Sequence, residues 1–298
     1  MDRARIGLLR RVPLPPMGIS RAAAELLLCE HARAPFSGAV LQLGRQSIEP
    51  DGASLRRLAA RAGATVRVAD GPLDDRAFFG ALGFARVSAL DVSDFEGADV
   101  IHDLNRPLPE ALHGRFDAVV NGGSLEHVFH LPNALSCVFD ALRVGGRAVH
   151  IAPTSNLIDH GFYSFSPTLL YDYHAANRWK IHAPYVFQAR SFSDPWTVYR
   201  YAPGSFAALA DRFHDLRVSG ITMAGVFFVV EKTAETTRDE IPQQGQYVEA
   251  WRAAAGAAPP EPTGVALALR DLKRRLDRAL PVFNPRVMPP RIGRFGGA

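Results

Sequence analysis

Gly44, Asp91, Asp103 and the run Asn121-Gly122-Gly123-Ser124-Leu125-Glu126-His127 are the residues whose types and spacing could do chemistry together in this chain. Each follows a short apolar run that reads as a β-strand. In an open α/β sheet, ligands bind at the carboxyl ends of such strands. An aspartate there can accept both hydrogens of a ribose diol, and a second one further along suits an adenine amino group. Either aspartate alone is equally at home as a helix N-cap or a turn residue; their order along the chain favours a nucleotide. A second group lies just beyond. Five of the ten histidines (His127, His130, His150, His160, His174) fall between 127 and 174. Histidine is the usual general base near neutral pH. His160, in Asp159-His160-Gly161-Phe162-Tyr163-Ser164-Phe165, is the preferred candidate, because Phe162, Tyr163 and Phe165 beside it could wall an acceptor. The alternative is that His160 orders its loop through a backbone carbonyl. His127, next to Glu126, is a second catalytic candidate, although a histidine so placed more often packs and caps the helix start than acts as a base; Tyr163 is a third.

These residues need elements to hold them, and the hydrophobic pattern supplies an alternation of β and α. Residues 19–33 read as a leading helix with Ser20 as N-cap. Strands are expected at 39–43, 65–68, 86–90, 99–102, 116–120, 147–151 and 181–187, with a long apolar strand over 221–231 closing the sheet. Between them, 51–62, 74–82, 133–142, 166–179 and 204–213 have helical period, and the helix over 133–142 is expected to stop at Gly145-Gly146. Such alternation predicts a mostly parallel sheet with helices on both faces. From Thr233 the chain turns linker-like (RAAAGAAPPEPTG), and 265–280 places Leu269, Leu272, Leu276 and Leu280 on one helical stripe opposite Arg and Lys. The expected organisation is an N-terminal segment and helix (1–34), a main domain (35–232), and a linker with a basic C-terminal helical tail (233–298).

Several function classes lack an anchor. No GxSxG elbow, phosphate-binding P-loop or GxGxxG turn occurs, which leaves hydrolase, NTPase and classical dehydrogenase chemistry without a motif. His127-x-x-His130 with Asp159 and His160 is a conceivable ligand set, but no compact motif of the HExxH kind is present, so no metal is expected. Cys29 and Cys137 stand too far apart in sequence for a knuckle or CxxC pattern and read as small core residues. Residues 264–298 hold eight basic and two acidic side chains, a net of +6 that leaves −2 for residues 1–263 of a chain whose total is +4. A basic body would favour a nucleic-acid substrate; here the positive charge belongs to the tail. It suits an acidic partner or an anionic membrane surface, unless its leucine stripe docks on the body or pairs in a dimer. The N-terminus has arginines but no signal-like apolar stretch, and no window approaches the roughly 18 apolar residues of a membrane span. The chain reads as cytoplasmic.

The segments VLQLG, SALD, ADVIHDLNRPLP, FDAVVNGGSLEHV and LRVGGRAVHIAP follow one another in the order and spacing of class I S-adenosylmethionine-dependent methyltransferases, and the chain resembles that family. The likeness is strongest to the type 11-like branch, whose motif after the fourth strand reads EHV and whose region after the fifth reads like HGFYSFSP. It spans residues 38–175 and is most specific over 91–167. The resemblance implies a three-layer Rossmann-like α/β fold with a mostly parallel seven-stranded sheet and an antiparallel last strand, and S-adenosylmethionine as cofactor. By position, Gly44 would lie under its amino-acid and ribose portion, and Asp91 would hold the ribose hydroxyls. Asp103 with Leu104 would frame the adenine, and the segment Asn121, Gly122, Gly123 and Ser124 would line the methionine side. The implied activity is methyl transfer to an oxygen or nitrogen of a small-molecule or glycan-type acceptor; the alternative is a catalytically silent binding or assembly module on the same fold. The first motif is degenerate. Gln42 stands where the family carries an acid, and Arg45-Gln46-Ser47 follow its only glycine, so neutralisation of the cofactor's ammonium and close approach of the backbone are both in question. Arg45 then faces either the cofactor's carboxylate or solvent.

Overall fold

A computed structural model describes residues 18–157, 159–205, 222–255 and 291–297. The helix expected over 204–213, past its first two residues, and the leucine-striped helix over 265–280 lie outside these. Local chemistry starts each early helix. The Ser20 hydroxyl accepts from the Ala23 N–H ahead of α1 (Arg21–Arg33), and the Asp51 carboxylate accepts from the Ser54 N–H ahead of α2 (Gly52–Ala62). Asp74 does the same for the Ala77 N–H at α3 (Asp75–Ala81). These caps satisfy donors that no helical carbonyl can reach.

The main sheet is built on β2 (Ala39–Leu43), β4 (Arg86–Asp91), β5 (Val100–Ile101), β6 (Phe116–Gly122) and β7 (Leu142–Ser155). All five are parallel, in the spatial order β5-β4-β2-β6-β7. A separate two-stranded parallel sheet pairs β1 (Gly18–Ile19) with β3 (Ser47–Ile48) just past the β2 turn. Alternating side chains divide the core into two layers. Val40, Val120, Val149 and Ile151 pack with Leu26, Leu55 and Phe78 of α1, α2 and α3. Leu41, Val119 and Ala148 pack with Leu135 of α4 (Leu131–Ala141) and Leu170 of α5 (Pro167–Ala176). Helices thus cover both faces, as the β/α alternation predicts.

The seven-stranded expectation is corrected: the sheet has nine strands and is mixed. Beyond β7 come β10 (Met223–Glu231), β8 (Lys180–Ala189), β9 (Trp196–Arg200) and β11 (Arg291–Phe295), each antiparallel to its neighbour. β9 forms because the Trp196 ring stacks on Phe187 of β8, centroids 3.6 Å apart and ring planes nearly parallel, while its indole N–H donates to the Phe192 carbonyl. β11 comes from the segment expected as a tail. Its end is fixed on α1 and α2, where the Gly296 N–H donates to the buried Glu25 carboxylate of α1 (2.6 Å) and Arg61 of α2 donates to the Gly297 carbonyl (2.6 Å). A further helix, α6 (Gly245–Ala255), lies in the segment read as linker.

Two smaller expectations also fail. Residues 65–68 form no strand, since Arg56 supplies a side-chain donor to the Val68 carbonyl (2.7 Å) in place of a neighbouring strand. Gly145-Gly146 does not stop α4. That helix ends at Ala141, where the Lys232 ammonium donates to the Phe139 and Leu142 carbonyls (2.7 Å each), and the glycines lie within the opening of β7. No helix among the described residues is long and apolar enough to cross a membrane.

Candidate functional site

β2 is flanked by β4 on one side and β6 on the other, so the chain order reverses between β2 and β6. Adjacent loops diverge at such a switch point and leave a crevice above the carboxyl ends. A cavity of about 740 Å³ opens there. The turn after β2 contributes Gly44, Arg45 and Gln46, the end of β4 contributes Asp91, and the segment after β5 contributes Asp103 and Leu104. Gly122, Gly123 and Ser124 line it at the end of β6, and His127 and His160 close its far side. Residues spread over more than a hundred positions of sequence therefore share one surface.

The β2 turn is built around a polar network. Gly44 has φ +68°, a conformation that favours glycine, and a side chain there would stand 3.0 Å from the Ser124 hydroxyl. Its N–H donates to the Leu90 carbonyl (2.8 Å), and the Ser124 hydroxyl donates to the Leu43 carbonyl. The Gln42 amide, buried, donates to the Asp75 carboxylate, and the Arg45 guanidinium pairs with the second Asp75 oxygen and reaches the Gly97 carbonyl (3.3 Å). Gln42 Oε1 in turn accepts from the Gln46 N–H (3.0 Å), and the Gln46 amide donates to the carbonyls of Leu43 (3.0 Å) and Gly44 (3.2 Å). Arg45 lines the cavity, yet its charge is directed at Asp75. Asp75 is not among the sequence candidates, because nothing local indicates a partner 30 positions away.

The two aspartates end their strands as expected, in different surroundings. Asp91 Oδ1 accepts weakly from the Ser93 N–H (3.3 Å) at the cavity wall. Asp103 folds over the next turn, accepting from the Asn105 N–H (2.9 Å) and side-chain amide (2.7 Å). Those bonds, the backbone one foremost, hold its carboxyl below the usual carboxylate range. Leu104 is buried, and its carbonyl accepts from Asn133 (2.7 Å). Asn121 and Tyr163 are not part of the lining. Asn121 is buried, and its Oδ1 accepts from the N–H groups of Ser124 (2.9 Å) and Leu125 (3.0 Å), fixing the turn that follows β6. The Tyr163 hydroxyl donates to the Phe129 carbonyl (2.7 Å).

Glu126 belongs to the run singled out after the fourth strand, but sequence reading gave it no role of its own. It is 0% exposed, sits on a 3-10 turn, Leu125–His127, and neither carboxylate oxygen has a hydrogen-bond partner. Burial pushes its carboxyl up to about 7. His160 Nε2, also buried and without a hydrogen-bond partner, stands 3.7 Å from Glu126 Oε1. The His127 ring meets the His160 ring edge to face at 4.9 Å. The loop carrying His160 is hung from Glu126 itself, whose carbonyl accepts from the N–H groups of Phe162 (2.7 Å) and Tyr163 (3.2 Å). Of the conceivable metal set, His130 is exposed and lies against Phe129, while Glu126 takes the position beside His127 and His160.

No family model matches the chain, and no curated protein does. Many solved structures match the chain. One belongs to the conversion of a disulfide bond into a thioacetal group during echinomycin biosynthesis; it is 16% identical, with a TM-score of 0.38 over 81% of this chain and 91% of that one. The YcgJ protein of Bacillus subtilis is 12% identical, with a TM-score of 0.37 over 70% of this chain and 98% of that one. The 1,6-didemethyltoxoflavin-N1-methyltransferase of Burkholderia thailandensis, solved with its substrate and S-adenosylhomocysteine, is 16% identical, with a TM-score of 0.31 over 71% and 79%. These are similarities of outline, and the chemistry has to come from the site itself.

Proposed function

We propose that the cavity binds S-adenosylmethionine and that the protein is a class I methyltransferase acting on an oxygen or nitrogen of a small-molecule or glycan-type acceptor. The observation that carries this reading is the grouping of Gly44, Asp91, Asp103-Leu104 and Gly122-Gly123 around one cavity at the switch point. The nucleoside end fits well. Asp91 offers a carboxylate to a ribose diol, and Leu104 offers an apolar face beside the Asp103 turn. The amino-acid end has a different donor set from that expected of an acidic motif: neutral Gln46, Ser124 and the Gly44 turn, with Arg45 neutralised by Asp75.

When bound, S-adenosylmethionine supplies a sulfonium methyl that an acceptor atom displaces in line, leaving a neutral thioether and a proton to be removed. Most of the rate enhancement in such a step comes from holding the reactants in contact. The chain's contribution at the acceptor end is the cluster of Glu126, His127 and His160, with His160 placed nearest the acceptor on its anchored loop. The exposed edge-to-face pair Phe129 and Phe162 (5.6 Å) gives that end an apolar rim suited to a planar or glycan-type molecule. A body of net charge −2 over residues 1–263 disfavours nucleic acid.

The second reading, a catalytically silent binding module, draws on the β2 turn, where the Gln46 N–H is taken by Gln42. Calorimetric titration with S-adenosylhomocysteine separates the two. We expect saturable binding by the wild type and loss of at least tenfold in affinity for Asp91→Ala, the ~1.4 kcal/mol expected of a charge-assisted hydrogen bond. Absence of heat at millimolar ligand would remove the enzyme reading, and full affinity in Asp91→Ala would misplace the ribose.

A further inference from the structure

We propose that Glu126, His127 and His160 form a mononuclear site for a first-row divalent cation of the Zn²⁺ or Fe²⁺ class, with its open side toward the cavity. One carboxylate oxygen and two imidazole nitrogens from these residues lie within 4.8 Å of one another. Ligands about 2.1 Å from a tetrahedral ion stand roughly 3.4 Å apart. His160 Nε2 and Glu126 Oε1, at 3.7 Å, are near that spacing. A direct hydrogen bond between them would bring the atoms to roughly 2.7–3.2 Å. The pair is thus too far apart to satisfy itself and close enough to share an ion.

The second observation is independent of the spacing. Both Glu126 carboxylate oxygens and His160 Nε2 are buried without a hydrogen-bond partner, and His160 is the only group within ion-pair range of Glu126 among the described residues. A buried carboxylate is costly unless it is paired or coordinates a metal. The surrounding structure holds this arrangement open. Asn121 fixes the turn that carries Glu126 and His127 through two N–H bonds. The His160 loop is held on the Glu126 carbonyl through Phe162 and Tyr163, and on the Phe129 carbonyl through the Tyr163 hydroxyl. Gly161, at φ +74°, passes so close that a side chain would lie 2.8 Å from the Glu126 carbonyl oxygen. Asn121 and Tyr163, absent from the cavity wall, thereby act as positioning residues for the ligands.

The donor set selects the ion. Two imidazoles with one carboxylate suit Zn²⁺, Fe²⁺ or Co²⁺, whereas Mg²⁺ and Ca²⁺ favour all-oxygen shells. Three protein ligands leave a position free, the pattern of a catalytic rather than a closed structural site. On the methyl-transfer reading, and resting on it, a cation there lowers the pKa of an acceptor hydroxyl entering that position, which favours a hydroxyl-bearing acceptor.

The test is a Co²⁺ titration of chelator-stripped full-length protein, followed by visible d–d absorption and competed with Zn²⁺. We expect one ion per chain and the bands of a four- or five-coordinate nitrogen–oxygen site. His160→Ala and Glu126→Gln should each weaken binding by more than the roughly tenfold that even outer-shell changes cost, while His130→Asn binds as the wild type does. His160→Ala decides the matter should Glu126→Gln fail to fold, because its loop is at the surface. Absence of Co²⁺ bands, unchanged affinity in His160→Ala, or an equal loss in His130→Asn overturns the proposal. S-adenosylhomocysteine titrated separately into the metal-free protein keeps the two readings apart: binding there without Co²⁺ sites removes only the metal, and the converse removes only the cofactor.

Discussion

Gln42 shows how one residue's chemistry can be taken up by another from a different element. The buried amide is neutral, and the negative charge beside it is carried by Asp75 at the start of α3, only 2% exposed and paired with Arg45. Removing one member of a buried pair leaves the other uncompensated, which is worse than never having had the pair. Asp75→Ala should therefore cost about 3 kcal/mol in urea unfolding, and a loss under 1 kcal/mol would mean that solvent reaches Arg45 easily. A second buried pair makes a pH prediction. His150 on β7 and His174 on α5 are both fully enclosed, with ring centroids 5.3 Å apart. Burial pushes His174 down to about 4 and His150 well below its usual value. An unfolded chain restores each to about 6.5, so between those values it binds protons that the folded chain refuses. Stability is full above pH 6.5 and declines as the pH falls toward 4, with His174 alone contributing on the order of 3 kcal/mol by the lower limit. His150→Leu should flatten that decline when urea midpoints at pH 7 and pH 4.5 are compared. An identical pH slope in the variant would assign the acid sensitivity to other groups.

Among elements, β11 is the one that changes how the chain is organised. It adds an edge to the sheet using Arg291 and Arg294 on a strand with little apolar character, a common way to discourage pairing with other chains. Its anchors are the Gly296 N–H on buried Glu25 and Arg61 on the Gly297 carbonyl, with Arg61 also paired to Glu25 at 3.0 Å. Deleting residues 291–298 removes the β9 ladder partner and leaves Glu25 one donor short, so the unfolding free energy should fall by about 2–4 kcal/mol, at roughly 1 kcal/mol per hydrogen bond lost. An unchanged urea midpoint would show that β11 contributes nothing. The same strand marks where sequence reading stops. β2, β4 and β6 were legible because parallel strands buried on both faces read as apolar runs, and α1 to α3 because Ser20, Asp51 and Asp74 cap them. Asp91 and Asp103 could be placed since a strand end needs only its own strand to be found. β9 and β11 could not, because pairing rather than composition makes WTVYR and RIGRF into strands. The burial of Glu126 was equally hidden: it is produced by the loop after His160 folding back on it, a contact that spacing in sequence does not encode.

For the whole molecule, the nine strands divide the labour. The parallel half, β5-β4-β2-β6-β7, carries the cavity above its carboxyl ends, while the antiparallel half, β10-β8-β9-β11, contributes none of the residues that line it. A ligand bound only by the folded state stabilises it by mass action, by about 2.7 kcal/mol at a hundred times its dissociation constant. That energy is global, but the protection it confers against local opening follows the contacts. S-adenosylhomocysteine at saturation should raise the melting temperature and slow amide exchange at 44–47, 91–105 and 122–128. Exchange at 196–200 and 291–295, on the opposite edge of the sheet, should be unchanged once global stabilisation is accounted for. Hydrogen exchange read by mass spectrometry with and without ligand measures both regions in one experiment. Protection confined to the antiparallel half would place the ligand elsewhere. Uniform protection across both halves would mean that the chain opens only by complete unfolding and that the parallel half has no separate response to what fills it.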